Sequence, residues 1–104
     1  MNDFFPLPDG RLLHPYRIGT AVWKASFDWM VQYQVIQERH DRVVMRIVAR
    51  RDPTRDEIAE LENAVEEVLG SDVEFVTELV DDIHDEVNGK FRIYRSLVES
   101  EYSM

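Results

Sequence analysis

Val31-Gln32-Tyr33-Gln34-Val35-Ile36-Gln37-Glu38-Arg39-His40-Asp41-Arg42-Val43-Val44-Met45-Arg46-Ile47-Val48 decides the fold. Val31, Tyr33 and Val35 alternate with Gln32 and Gln34, and Val43, Met45 and Ile47 alternate again beyond the polar tetrad Arg39 to Arg42. A period of two puts successive side chains on opposite faces of a sheet, so the stretch predicts a hairpin. Val44 and Val48 add apolar groups to the other face of the second strand, which is therefore expected to be the more buried of the two.

Downstream the period changes to that of a helix. Ile58, Leu61, Val65, Val68 and Leu69 form an apolar stripe, and Glu60, Glu62, Glu66 and Glu67 form a solvated face, over residues 53 to 69. Thr54 and Glu57 have capping-box spacing, and Gly70 suits the C-terminal cap. Val73, Phe75, Thr77 and Leu79 then alternate as a strand. Residues 81–88 form a charged connection ending in the Asn88-Gly89 turn signal. In the last element, Phe91, Ile93, Arg95 and Leu97 share one side and Arg92, Tyr94 and Ser96 the other.

Upstream, Pro6, Pro8 and Asp9-Gly10 predict ordered loop, and Arg11 to His14 a short strand. Pro15 opens a helix in which Ile18, Val22, Ala25 and Trp29 have helical spacing, and which ends before Trp29. The elements run strand, helix, hairpin, helix, strand, terminal element. They predict an α+β fold, a small two-layer sandwich with the ferredoxin-like βαββαβ order and a C-terminal extension. No composition shift divides residues 1–104, which read as one domain.

Twenty-one acidic residues against twelve Lys and Arg give a net charge of -9, unfavourable for holding a phosphate backbone, so no nucleic-acid partner is expected. The absence of Cys excludes thiolate chemistry. No apolar stretch is long enough to span a membrane, and no basic leader opens the chain, so no membrane partner and a cytoplasmic location are expected. His14, His40 and His84 are too dispersed for a zinc site. Asp81, Asp82, Asp85 and Glu86 match no defined metal loop, so no metal is assigned. No P-loop, dinucleotide-binding Gly pattern or nucleophile elbow is present. Trp29, Phe75 and Phe91 read as core, whereas Trp23 and Tyr33 fit a sheet edge or a domain interface as well.

Asn88-Gly89-Lys90-Phe91-Arg92 stands out. Lys90 is the only Lys after Lys24. An ammonium on a flexible stem at a tight turn suits neutralising a carboxylate or phosphate. An ordinary surface Lys on a hairpin turn is the alternative reading.

Taken in order, Leu7-Pro8-Asp9-Gly10-Arg11, Gln34-Val35-Ile36-Gln37-Glu38, Asp41-Arg42-Val43-Val44, Leu69-Gly70-Ser71-Asp72-Val73 and Asn88-Gly89-Lys90-Phe91-Arg92 resemble the C-terminal domain of adenylate-forming ligases of the phenylacetate-CoA ligase and capsule-biosynthesis group. The resemblance covers nearly the whole chain. It implies a lid domain acting with a large N-terminal adenylation domain, in cis or in trans, that uses ATP with Mg and passes an acyl group to a thiol such as CoA. By position Lys90 resembles the family's active-site Lys, with Asn88, Gly89 and Arg92 supporting its loop. Asn88 departs from the Ser or Thr usual there. Residues 1–10 resemble a hinge or linker remnant, with Asp3 at the hinge acid, and Gln34, Gln37 and Glu38 match positions on the interface or acceptor side. No cofactor is expected on this domain alone. A non-enzymatic binding or regulatory module, a homodimer among them, and an inactive remnant of the ligase domain are the alternatives.

Overall fold

The computed structural model describes residues 4–26, 28–83 and 93–98. Two short strands, β1 (Phe5–Pro6) and β2 (Leu12–Leu13), pair antiparallel and lead into helix α1 (Tyr16–Ser26). Strands β3 (Met30–Arg39) and β4 (Arg42–Ala49) follow, then helix α2 (Arg55–Leu69), strand β5 (Glu74–Leu79) and strand β6 (Tyr94–Ser96). Among the described residues the main sheet has the order β5-β4-β3-β6. β3 and β4 are antiparallel, β4 and β5 parallel across the α2 crossover, and β3 and β6 parallel. The α+β sandwich and its element order are as expected from the sequence. The first strands, however, pair with each other outside the main sheet, and β6 takes the edge beside β3.

One core cluster joins the layers. Ile18 and Val22 of α1, Leu61, Val65 and Leu69 of α2, Val35, Val43, Met45, Ile47 and Phe75 of the sheet, and Phe5 and Leu13 of the small hairpin are all buried. Trp29, fully buried just before β3, belongs to the same cluster. β4 is more buried than β3, as its two apolar faces require.

Two register shifts, between Met30 and Gln32 and between Gln37 and Arg39, interrupt the β3–β4 ladder. Each inserts one extra residue, Val31 and Glu38, and so bends the strand. Val31 is consequently exposed, although the alternation placed it with Tyr33 and Val35. In β6 it is Tyr94 that faces the core, while Leu97 beyond it is exposed.

α2 begins where the sequence places its cap. Glu57 N donates to Thr54 Oγ1 at 3.1 Å and Thr54 N donates to Glu57 Oε1 at 2.8 Å, a complete capping box. Gly70 closes the helix at φ 96°, a left-handed conformation that a Cβ would strain. The last turn of α2 has no basic residue of its own. Arg11 supplies one from the hairpin, its Nη2 donating to Leu69 O at 3.1 Å while Asp9 holds its Nε. A cation at that end favours the helix dipole and ties the hairpin to α2.

Glu57 also receives two hydrogen bonds from Arg51, at 2.8 and 2.7 Å. The Arg51 guanidinium first, and then the Thr54 N–H, lower its carboxyl pKa from 4.5 to about 2. Its folded pKa is depressed, so its contribution to stability is present above about 4.5 and is lost as pH falls toward about 2. Glu57→Gln should flatten the acid limb of a stability–pH curve within that window, measured by urea unfolding. Superimposable acid limbs for the two proteins would contradict this assignment.

Candidate functional site

The segment singled out by sequence, Asn88, Gly89, Lys90 and Arg92, lies outside the described residues, as do Asp3, His84 and Phe91. Its downstream anchor is described. Ile93 O accepts from Val35 N at 2.7 Å, and Val35, Ile36 and Gln37 then register with Tyr94, Arg95 and Ser96.

Gln37 secures this anchor from below. Fully buried, it donates from Nε2 to Pro6 O at 2.7 Å and accepts at Oε1 from Ser96 Oγ at 2.7 Å, while its backbone O accepts from Leu97 N at 2.9 Å. One amide therefore joins β1, β3 and β6, satisfying groups that would be costly to bury unpaired. Gln34 is buried as well. Of the three residues assigned by resemblance to the interface or acceptor side, Glu38 alone stands at the surface, where it pairs with Arg42.

Tyr94 carries the anchor across to α1. Its hydroxyl hydrogen-bonds the Tyr33 hydroxyl, and the two rings meet edge to face at 5.9 Å. Burial raises the pKa of both phenols, and the Tyr33 hydrogen bond raises that of Tyr94 further, so the pair stays protonated at neutral pH. Gly19 of α1 lies directly over it, and a Cβ added there would stand 2.7 Å from Tyr94 Oη. Gly19→Ala should therefore destabilise the protein by about 1 kcal/mol, because an overpacking cost of about 1–3 kcal/mol exceeds a helix-propensity gain of about 1 kcal/mol. In a Tyr94→Phe background the same substitution should become neutral or stabilising. Equal penalties in both backgrounds, read by denaturant unfolding, would show that the hydroxyl is not the obstacle.

Beside Tyr94, α1 and the residues that flank the small hairpin, Phe4 and His14, line an open concavity of about 690 Å³. Phe4, Tyr16, Trp23 and Tyr94 give it four aromatic side chains, and His14 and Thr20 add polar groups. Tyr16 and Trp23 are 74% and 70% exposed. Trp23 lies in α1 on an exposed helical face and so not at a sheet edge, whereas Tyr33 lies in β3 and is tied to Tyr94. Tyr16, Gly19, Thr20 and Trp23 fall at helical spacing on a second stripe of α1, distinct from the buried Ile18 and Val22. That spacing is the sequence signal for this face.

His14 acts as a cap, its Nδ1 accepting from Tyr16 N at 3.1 Å. Among the described residues no group of three or more His, Asp or Glu could hold a metal ion, and no helix is long and apolar enough to cross a membrane.

A family model described as the CapK C-terminal domain matches residues 6–96 of the chain. No curated protein and no solved structure matches it.

Proposed function

The chain belongs to the CapK C-terminal domain family, and on that footing we propose that it is the lid of an AMP-forming ligase that activates a carboxylic acid and transfers it to a thiol such as CoA. The observation that carries this reading is the extent of the family match, residues 6–96, a range that includes both the Gln34–Glu38 strand and the Asn88–Arg92 segment.

In this mechanism the large domain binds ATP, Mg and the acid. A carboxylate oxygen attacks the α-phosphorus, the bond to the bridging oxygen breaks, and pyrophosphate leaves with the electron pair. Negative charge develops on the phosphate oxygens during this transfer. Lys90, brought in by the lid, offsets it electrostatically without exchanging a proton. Gly89 and Asn88 give the turn its conformational freedom, and Arg92 supports the loop. Asp3 serves as the hinge acid about which the lid swings between adenylation and thiol transfer, a gating motion of the kind that completes composite sites. In the second step the thiol gives up its proton to solvent and its sulfur attacks the acyl carbon; the bond between that carbon and the phosphate oxygen breaks, and AMP leaves with the electron pair. The described residues contribute an anchor, since Gln37 and Tyr33 bind Ser96 and Tyr94 of β6, the strand that follows the Lys90 segment in sequence.

Mass-spectrometric identification of the polypeptide that carries or accompanies this chain in its native cells tests the proposal. A large adenylate-forming domain, covalently joined or tightly bound, is the expected finding. Recovery of the chain with no such domain would contradict it.

A further inference from the structure

We infer that the aromatic concavity of Phe4, Tyr16, Trp23 and Tyr94 is the surface on which the large adenylation domain seats, an inference that rests on the function proposed above. The chain has a net charge of -9, yet among the described residues that line the concavity there is no Asp, Glu, Lys or Arg. The centres of protein interfaces are similarly depleted of charge and enriched in aromatic residues. Other faces of the molecule differ. The open side of the sheet has Arg42 between Glu38 and Glu74 and Arg46 beside Glu78, and α2 presents Glu60, Glu66 and Glu67 to solvent. Covering those faces would desolvate charges, whereas covering the aromatic face mainly removes apolar surface from water.

The path of the chain selects the occupant. Phe4, where the described chain enters, is itself part of the concavity, its ring packed edge to face on His14 at 4.8 Å. The family matched is a C-terminal domain and the match begins at residue 6, so a domain preceding it in cis would join beside Phe4. Tyr94, which also lines the concavity, stands four positions after Lys90 in the sequence. The concavity offers little to a phosphate. At the start of α1, Tyr16 N donates to His14 Nδ1, Arg17 N to His14 O, and Ile18 N and Gly19 N to Pro15 O.

Hydroxyl-radical footprinting, read residue by residue, compares this chain alone with the complete ligase under ATP and acid. Tyr16 and Trp23 should be labelled more slowly in the complete ligase, with labelling of α2 unchanged. Trp23→Glu should keep the far-ultraviolet dichroism and melting transition, because the side chain is largely exposed, and should weaken seating of the adenylation domain about tenfold or more. Tyr16→Ala, which introduces no charge, should act in the same direction. Unchanged labelling and unimpaired seating in a ligase that forms acyl-adenylate would overturn this surface while leaving the proposed function standing. A homodimer abolished by Trp23→Glu would overturn it in favour of a second copy on that face. Absence of acid-dependent ATP–pyrophosphate exchange from the complete assembly would instead refute the proposed function, and this inference with it.

Discussion

Lys90→Ala in the complete ligase should lower acid-dependent ATP–pyrophosphate exchange by about 10²–10³-fold, the range seen when one preorganised partner of a developing charge is removed. Folding should survive, because the described core is assembled from apolar residues, the Gln37 clamp and the tyrosine pair, without a Lys. The dichroism and melting profile of the variant should therefore match those of the parent. Lys90→Arg should restore charge but only part of the rate, since a planar guanidinium does not place its positive centre where a compact ammonium does. A variant that melts normally and exchanges pyrophosphate at the parental rate would remove Lys90 from the mechanism.

Trp29→Ala should cost about 3–5 kcal/mol of folding stability, as expected for truncating a fully buried aromatic that the core cannot close over. Trp29 is fully buried between α1 and β3, and its carbonyl accepts from Arg50 N at 2.8 Å. Such a loss is a large share of the roughly 5–15 kcal/mol that holds a typical domain together. The ring itself carries an unmet demand, since its buried Nε1 has no hydrogen-bond partner among the described residues. An orphaned donor costs about 1–3 kcal/mol, so Trp29→Phe, which removes it while keeping an aromatic ring, should cost about 1 kcal/mol or less. Urea unfolding followed by far-ultraviolet dichroism separates the two variants. Equal losses for Phe and Ala would show that the indole N–H is satisfied after all.

What could be read in advance was local. Thr54 with Glu57 marked the start of α2 because a capping box is complete within four residues, and Gly70 marked its end. Alternation on either side of His40 and Asp41 gave the hairpin, because a period of two is set by the pleat alone. The pairing of β6 with β3 in parallel was not legible, since it depends on contacts about sixty residues apart and on a strand of three residues. Nor was the inward position of Gln37, whose polar side chain is tolerated in the core only because Pro6 and Ser96 complete its hydrogen bonds. Arg11 caps a helix that ends 58 positions later, a role visible only once the hairpin is folded against α2. The bulges at Val31 and Glu38 shifted two residues off the simple alternation.

The site divides in the same way. The Lys90 segment was picked out by its turn chemistry and by the order of its neighbouring motifs, whereas the exposed face at Tyr16 and Trp23 depends on which stripe of α1 the core leaves uncovered. Gly19 explains part of that arrangement. Its missing Cβ admits the Tyr94 hydroxyl, so the helix can rest on the strand that follows the Lys90 segment.

The central claim is that this chain completes an adenylation site it does not itself contain. Its most direct test is acid-dependent ATP–pyrophosphate exchange by the large domain, measured with this chain present, with it absent, and with Lys90→Ala in its place. The account predicts exchange that depends on the intact chain and falls at least about a hundredfold in the other two cases. Exchange at full rate without the chain, or with the Lys90→Ala variant, would contradict it.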